Sequence, residues 1–218
     1  MAAILRNNDD VDSQGAPGVV GLVGRSGSGK TSLLESLIPA LGARGLAVGA
    51  VKHTSHGFAA DRPGKDSYRL YESGAEAVAV ISQQQIACFT RRDSERDAGP
   101  RLAAALAALP HGLDLVLAEG FSWEAIPRFV LVPESEDALP NHFEHGEVLG
   151  IVRVPRPREG QKPAFPSDLV DSLADALARH AGERRRNGTC RPVSLLPPAS
   201  MRSWIRTGPP GGPPPSSG

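Results

Sequence analysis

Gly24-Arg25-Ser26-Gly27-Ser28-Gly29-Lys30-Thr31 fits the spacing G-x-x-x-x-G-K-[ST], in which each fixed position has a role on a phosphate. Glycines at 24, 27 and 29 let successive backbone N–H groups turn inward as an anion-binding nest. Lys30 is placed to bridge the β- and γ-phosphates of a nucleotide, and the Thr31 hydroxyl to ligate Mg²⁺. Arg25, Ser26, Ser28 and Ser32 complete the stretch expected to line the ligand. The loop follows the apolar run Val19–Val23 and opens into Ser32-Leu33-Leu34-Glu35-Ser36-Leu37-Ile38, the strand, loop and helix order that the motif requires. A flexible Gly/Ser turn would not end in Lys-Thr and run into an amphipathic helix. A nucleoside phosphate is therefore the expected ligand.

Three further groups of residues could share this chemistry. Glu119 ends the apolar run Leu113–Ala118 and precedes Gly120, as a Walker-B-like carboxylate does. Such a group holds Mg²⁺ directly or through its water, or orients an attacking water, so Glu119 joins Lys30 as a candidate catalytic residue. Lys52 and His53 follow a second apolar run, Leu46–Val51; Lys52 could meet phosphate charge, while His53 and His56 could touch a ligand but lack a third metal ligand. The segment Asp61–Arg69 gathers both signs of charge. As a switch sensing γ-phosphate and metal it would bring Asp61 to Mg²⁺ and Asp66 to the nucleotide. As a solvated helix start it would use Asp61 or Asp66 as a cap, and both readings stand.

The elements that must position these residues alternate between strand and helix. Strands are expected near 18–23, 46–51, 76–82, 113–118, 128–132 and 148–154, with a weaker one at 85–91. Helices are expected near 31–44, 65–73, 101–109 and 167–181, the first kinked at Pro39 and closed by Gly45. This order predicts an α/β P-loop NTPase: a mainly parallel sheet with helices on both faces and ligands at the carboxyl ends of its strands. Function is then to be sought just after residues 23, 52 and 118. Asp114 begins a strand that Glu119 ends, so it lies at the opposite edge and reads as structural.

Composition sets the outer limits. The 218 residues carry 24 basic and 24 acidic side chains, so no basic excess exists to hold a nucleic-acid backbone. No apolar run approaches a bilayer span, and Cys88 and Cys190 have no metal or redox spacing; a cytoplasmic protein without membrane association is expected. Residues 1–17 read as a disordered lead-in, 18–181 as the nucleotide-binding domain and 182–218, Pro/Gly-rich with Arg184-Arg185-Arg186, as a disordered tail.

Beyond the phosphate loop, the chain resembles the molybdopterin-guanine dinucleotide biosynthesis adapter family over roughly residues 18–180. The resemblance is carried by Val51-Lys52-His53, by Pro63-Gly64-Lys65-Asp66-Ser67-Tyr68-Arg69, by Glu72-Ser73-Gly74-Ala75, by Leu113–Phe121 and by Ile126-Pro127. The Gly-Lys-Asp-Ser-Tyr-Arg block discriminates best, because many families share the phosphate loop. The resemblance implies a GTP- and Mg²⁺-binding protein with weak GTPase activity, pairing as a homodimer. It would assist the molybdopterin guanylyltransferase that joins GMP to molybdopterin, and it leaves open whether molybdopterin or its carrier binds this chain. The segment after His53 is poorer in His and acidic residues than the family pattern, and no Asn-Lys-x-Asp guanine-reading motif occurs, so GTP over ATP rests on the resemblance. The alternative is a P-loop small-molecule kinase, with Arg91, Arg92 and Arg96 on a lid over the transferred phosphate. A nickel-insertion GTPase would lean on His53 and His56 without a His- or Cys-rich tract.

Overall fold

The computed structural model of the chain describes residues 16–59, 61–91, 102–134, 145–155, 157, 161–187 and 205–206. These fall into two compact units, one built from the segments up to His53 and from Ala105 onward, the other from Thr54–Ala104.

In the first unit the strands are β1 (Gly18–Val23), β2 (Val48–Lys52), β5 (Leu115–Glu119), β6 (Arg128–Pro133), β7 (Val148–Val154) and β8 (Ile205–Arg206), and the helices are α1 (Lys30–Ala43) and α4 (Ser167–Asn187). Sheet order is β2-β5-β1-β6-β7-β8, parallel throughout except for β8, which runs antiparallel to β7. β5 and β6 are buried along nearly their whole length, as continuous apolar runs in a covered parallel sheet should be. Leu33, Leu34, Leu37 and Leu41 on α1 meet Leu169, Leu173 and Leu177 on α4 over one face, with Val20, Leu22, Leu115, Leu117 and Phe129 beneath them. On the other face Leu109, just beyond α3 (Leu102–Ala107), and Leu113 lie where any side chain at Gly49 would need to go.

α1 carries Pro39 within its span and ends where expected, with Arg44 as its C-cap and Gly45 at φ +79°. α4 runs on to Asn187, past the expected end at Ala181, and Ile205–Arg206 pairs with β7, so the stretch expected to be a disordered tail contributes to two elements. Asp114 is buried and its Oδ2 accepts a 2.7 Å hydrogen bond from the Ala47 amide, which ties the entry of β2 to that of β5. That is the structural role its position predicts.

The second unit holds α2 (Asp66–Glu72) and an antiparallel pair, β3 (Ala77–Ile81) and β4 (Ile86–Thr90). β3 and β4 therefore belong to a separate two-stranded sheet and not to the parallel one. The reason is local: Ser82 closes a short turn, its amide donating to the Gln85 carbonyl and its hydroxyl accepting from the Gln84 and Gln85 amides. No crossover helix separates the two runs, so they fold back as a hairpin.

Arg128, the first residue of β6, is completely buried. Its guanidinium donates to the carbonyls of Ser122 (2.6 Å), Glu124 and Ile126, so one side chain satisfies three backbone groups of the β5–β6 connection. Burial pushes its pKa below the ordinary arginine value, but a guanidinium in proteins stays charged, and here its charge is spread over the carbonyls. Arg128→Met should lower stability by roughly 2–4 kcal/mol, because three acceptors lose their donor together. Arg128→Lys should recover only part of the loss, since an ammonium lacks the fork. Thermal unfolding of the three proteins measures this, and equal melting temperatures would contradict it.

Candidate functional site

The ends of three neighbouring strands build the site. Leu22 of β1 and Lys52 of β2 are both in register with Glu119 of β5. Two residues beyond Leu22 the chain leaves the sheet at Gly24 and turns through the phosphate loop into α1. Strand register alone thus brings residues 24–31, 52 and 119 to one edge, the carboxyl edge at which parallel α/β sheets take ligands.

The loop is held from below. A Cβ at Gly24 would lie 2.6 Å from Ser28 Oγ and 2.7 Å from the Leu131 carbonyl, so the loop presses directly on β6 and only glycine fits. Gly29 caps α1 at φ +78° with Pro163 and Val154 packed against it. No side chain caps the helix there, which leaves the first-turn N–H groups and the positive end of the helix dipole facing the loop.

Lys30 lies back across the loop, donating to the carbonyls of Gly24 (3.0 Å) and Arg25 (2.7 Å) and reaching Ser28 Oγ at 3.4 Å. These are weak neutral acceptors for an ammonium that an anion could take over. Thr31 Oγ1 stands 3.0 and 2.9 Å from the two carboxylate oxygens of Glu119. Lys52 Nζ lies 3.0 Å from Glu119 Oε1 and donates to Thr31 Oγ1 at 3.1 Å. Glu119 itself is buried. The structure thus brings together Gly24 to Ser32, Lys52 and Glu119.

His53 takes a different place. Its amide donates to the Glu119 carbonyl at 2.9 Å, but its ring meets Trp123 edge-on (centroids 4.8 Å apart, 90°) and also contacts Phe121. This aromatic group was not expected; Trp123 follows Glu119 closely, and only the fold of the Arg128-held connection turns it back onto His53. Among the described residues no group of three or more His, Cys, Asp or Glu could hold a metal.

Asp61 and Asp66 belong to the second unit. Asp61 accepts from the Ser67 hydroxyl and from the Arg62 amide (2.6 Å), and these bonds hold its carboxyl below the usual aspartate range. It closes the turn leading into α2. Asp66 opens that helix, exposed, 3.6 Å from Arg69. Arg91 is anchored inside the same unit, over the Tyr71 ring and on the carbonyls of Ala75 and Tyr71, while Arg92 and Arg96 lie outside the described residues.

Comparison with known proteins agrees with this geometry. Residues 19–153 match the family model described as molybdopterin guanine dinucleotide synthesis protein B, MobB. A molybdopterin-guanine dinucleotide biosynthesis adapter protein of Escherichia coli K12 is 46% identical over 118 residues, 54% of this chain and 67% of that one. Its namesake in Haemophilus influenzae is 40% identical over 161 residues, 73% of this chain and 86% of that one. A crystal structure of molybdopterin-guanine biosynthesis protein B superposes with a TM-score of 0.53 at 31% identity, over 75% of this chain and 99% of that one. A MobB homologue from Bacillus stearothermophilus gives 0.50 at 28% identity, over 76% and 99%.

Partial burial lowers the pKa of Lys30 from the ordinary 10.5, with Glu119 pulling it back up and Lys52 pushing it further down. Phosphate needs the charged ammonium, so affinity for inorganic tripolyphosphate should fall as pH rises through the depressed pKa, earlier than an ordinary lysine would dictate. Lys30→Arg should hold its affinity across the same range. Calorimetric titration of both proteins across the alkaline range reads the two profiles; a flat wild-type profile would count against this assignment.

Proposed function

The chain belongs to the MobB family of molybdopterin-guanine dinucleotide biosynthesis adapters, and on that premise we propose that it is a GTP-binding adapter for the enzyme that attaches GMP to molybdopterin. The observation that carries the nucleotide part is the convergence of Lys30, Thr31 and Glu119 on one phosphate loop. In this reading the backbone of Gly24 to Ser32 takes the phosphates, and Lys30 exchanges the Gly24 and Arg25 carbonyls for phosphate oxygens.

A threonine hydroxyl beside a carboxylate is a hard-oxygen pair that suits Mg²⁺, with phosphate oxygens and water completing the shell. Thr31 and Glu119 are the residues that would hold it. Bound there, the cation supplies charge neutralisation for the β- and γ-phosphates. Glu119 accepts from the Thr31 hydroxyl and so fixes its orientation, and in this reading the protein needs only slow hydrolysis to act as a switch. The relatives are named as adapters, which supports a role in binding a partner rather than in rapid turnover. Pairing of two copies fits the same reading: Ile81 and Ile86 face one another across β3 and β4 and are about three-quarters exposed.

Lys30→Ala should weaken GTP binding at least about a hundredfold, the scale of losing a charge-assisted contact to phosphate, while leaving the melting temperature near wild type. Glu119→Gln should reduce Mg²⁺-dependent hydrolysis more than nucleotide affinity. Isothermal titration and phosphate release separate the two, and an unchanged GTP affinity in Lys30→Ala sinks the assignment. A pull-down of molybdopterin guanylyltransferase should be stronger with GTP and Mg²⁺ than without. Rapid γ-phosphate transfer to a small acceptor would instead favour a kinase.

A further inference from the structure

Lys52 is not where a phosphate ligand would be expected to wait. Its ammonium lies 3.0 Å from Glu119 Oε1 and 3.1 Å from Thr31 Oγ1, the two atoms that suit a divalent cation, while those two groups touch each other. It stands at the end of β2 in direct register with Glu119, so the sheet and not chance rotamer choice delivers it. The Lys52 side chain is more than half exposed, whereas that of Glu119 is nearly buried. The carboxylate therefore cannot leave, but the lysine can.

We propose that Lys52 is a built-in counter-cation that neutralises Glu119 when no metal is bound and competes with Mg²⁺ for the Thr31–Glu119 pair. The proposal rests on the nucleotide reading above. A buried carboxylate left without a positive partner is costly, and one ammonium meets that need with groups already present. Lys52 swings out into solvent when the cation is taken up, since a second positive charge cannot share the same two oxygens at hydrogen-bond distance. The site's demand for magnesium is then set by Lys52 and not only by the residues that hold the metal.

The roles of competitor and phosphate ligand predict opposite results. With wild-type protein and the full chain, titrate MgCl₂ into protein and GTP held at fixed concentration, and follow binding by calorimetry or by the fluorescence of Trp123 in a Trp204→Phe background. Lys52→Met should lower the magnesium concentration at half-saturation by about fivefold, the size expected when a half-exposed ion pair no longer opposes binding. Lys52→Arg, which keeps the charge, should stay near wild type. A midpoint that is unmoved or raised in Lys52→Met overturns the competitor role. If wild-type protein binds no GTP at any magnesium concentration, the nucleotide reading fails and the competitor role falls with it; wild-type binding with an unmoved midpoint rejects the competitor role alone. Melting curves of the variants check that the fold is kept.

Discussion

A carboxylate buried at the end of a central strand must find positive or donating partners, and much of this protein's edge is arranged around Glu119. β5 lies between β1 and β2, so its last residue has the phosphate loop on one side and Lys52 on the other. Thr31 reaches it from the first turn of α1, and the Gly24 contact with β6 fixes how far the loop can stand away. If the strands slipped by one residue, Glu119 and Lys52 would point to opposite faces of the sheet. Register, which is set by the core beneath, is thus the quantity on which the site depends.

That core explains why so much of the first unit can be read from the amino-acid order. Continuous apolar runs at 18–23, 115–118 and 129–133 have few alternatives to buried parallel strands, and the leucines of α1 recur on one helical stripe. Lys30, Thr31 and Glu119 follow because their neighbours in sequence dictate where they lie. Arg128 was hidden for the converse reason. A charge at the start of an apolar run reads as the strand's wet end, and only the connection folded over it, offering three carbonyls, makes burial tolerable. The meeting of His53 with Trp123 was equally invisible, because it joins the residue after β2 to the β5–β6 connection, distant in sequence.

The second unit was harder to read because its apolar residues are not core residues. Ala77–Ile81 has the composition of an interior strand, yet Val80 and Ile81 are exposed and Val78 alone of that strand is buried. Sequence hydrophobicity reports what a residue would gain by burial, not whether this chain supplies the cover. Asp61 shows the same limit for polar residues: charge concentrated near a helix start fits a switch and a closed turn alike, and its hydrogen bonds to Ser67 and Arg62 emerge only with the fold.

The sheet order also imposes a timetable. β1 and β2 leave the ribosome in succession but are never neighbours, since β5 must enter between them. Until the chain has been made as far as Glu119, the phosphate loop hangs from a strand with neither β5 nor β6 beside it. Parallel pairings of such long sequence separation form late and slowly, because loop closure comes before any reward. Residues 24–31 precede both β5 and β6 in the chain, yet their surroundings are complete only once both strands have joined the sheet.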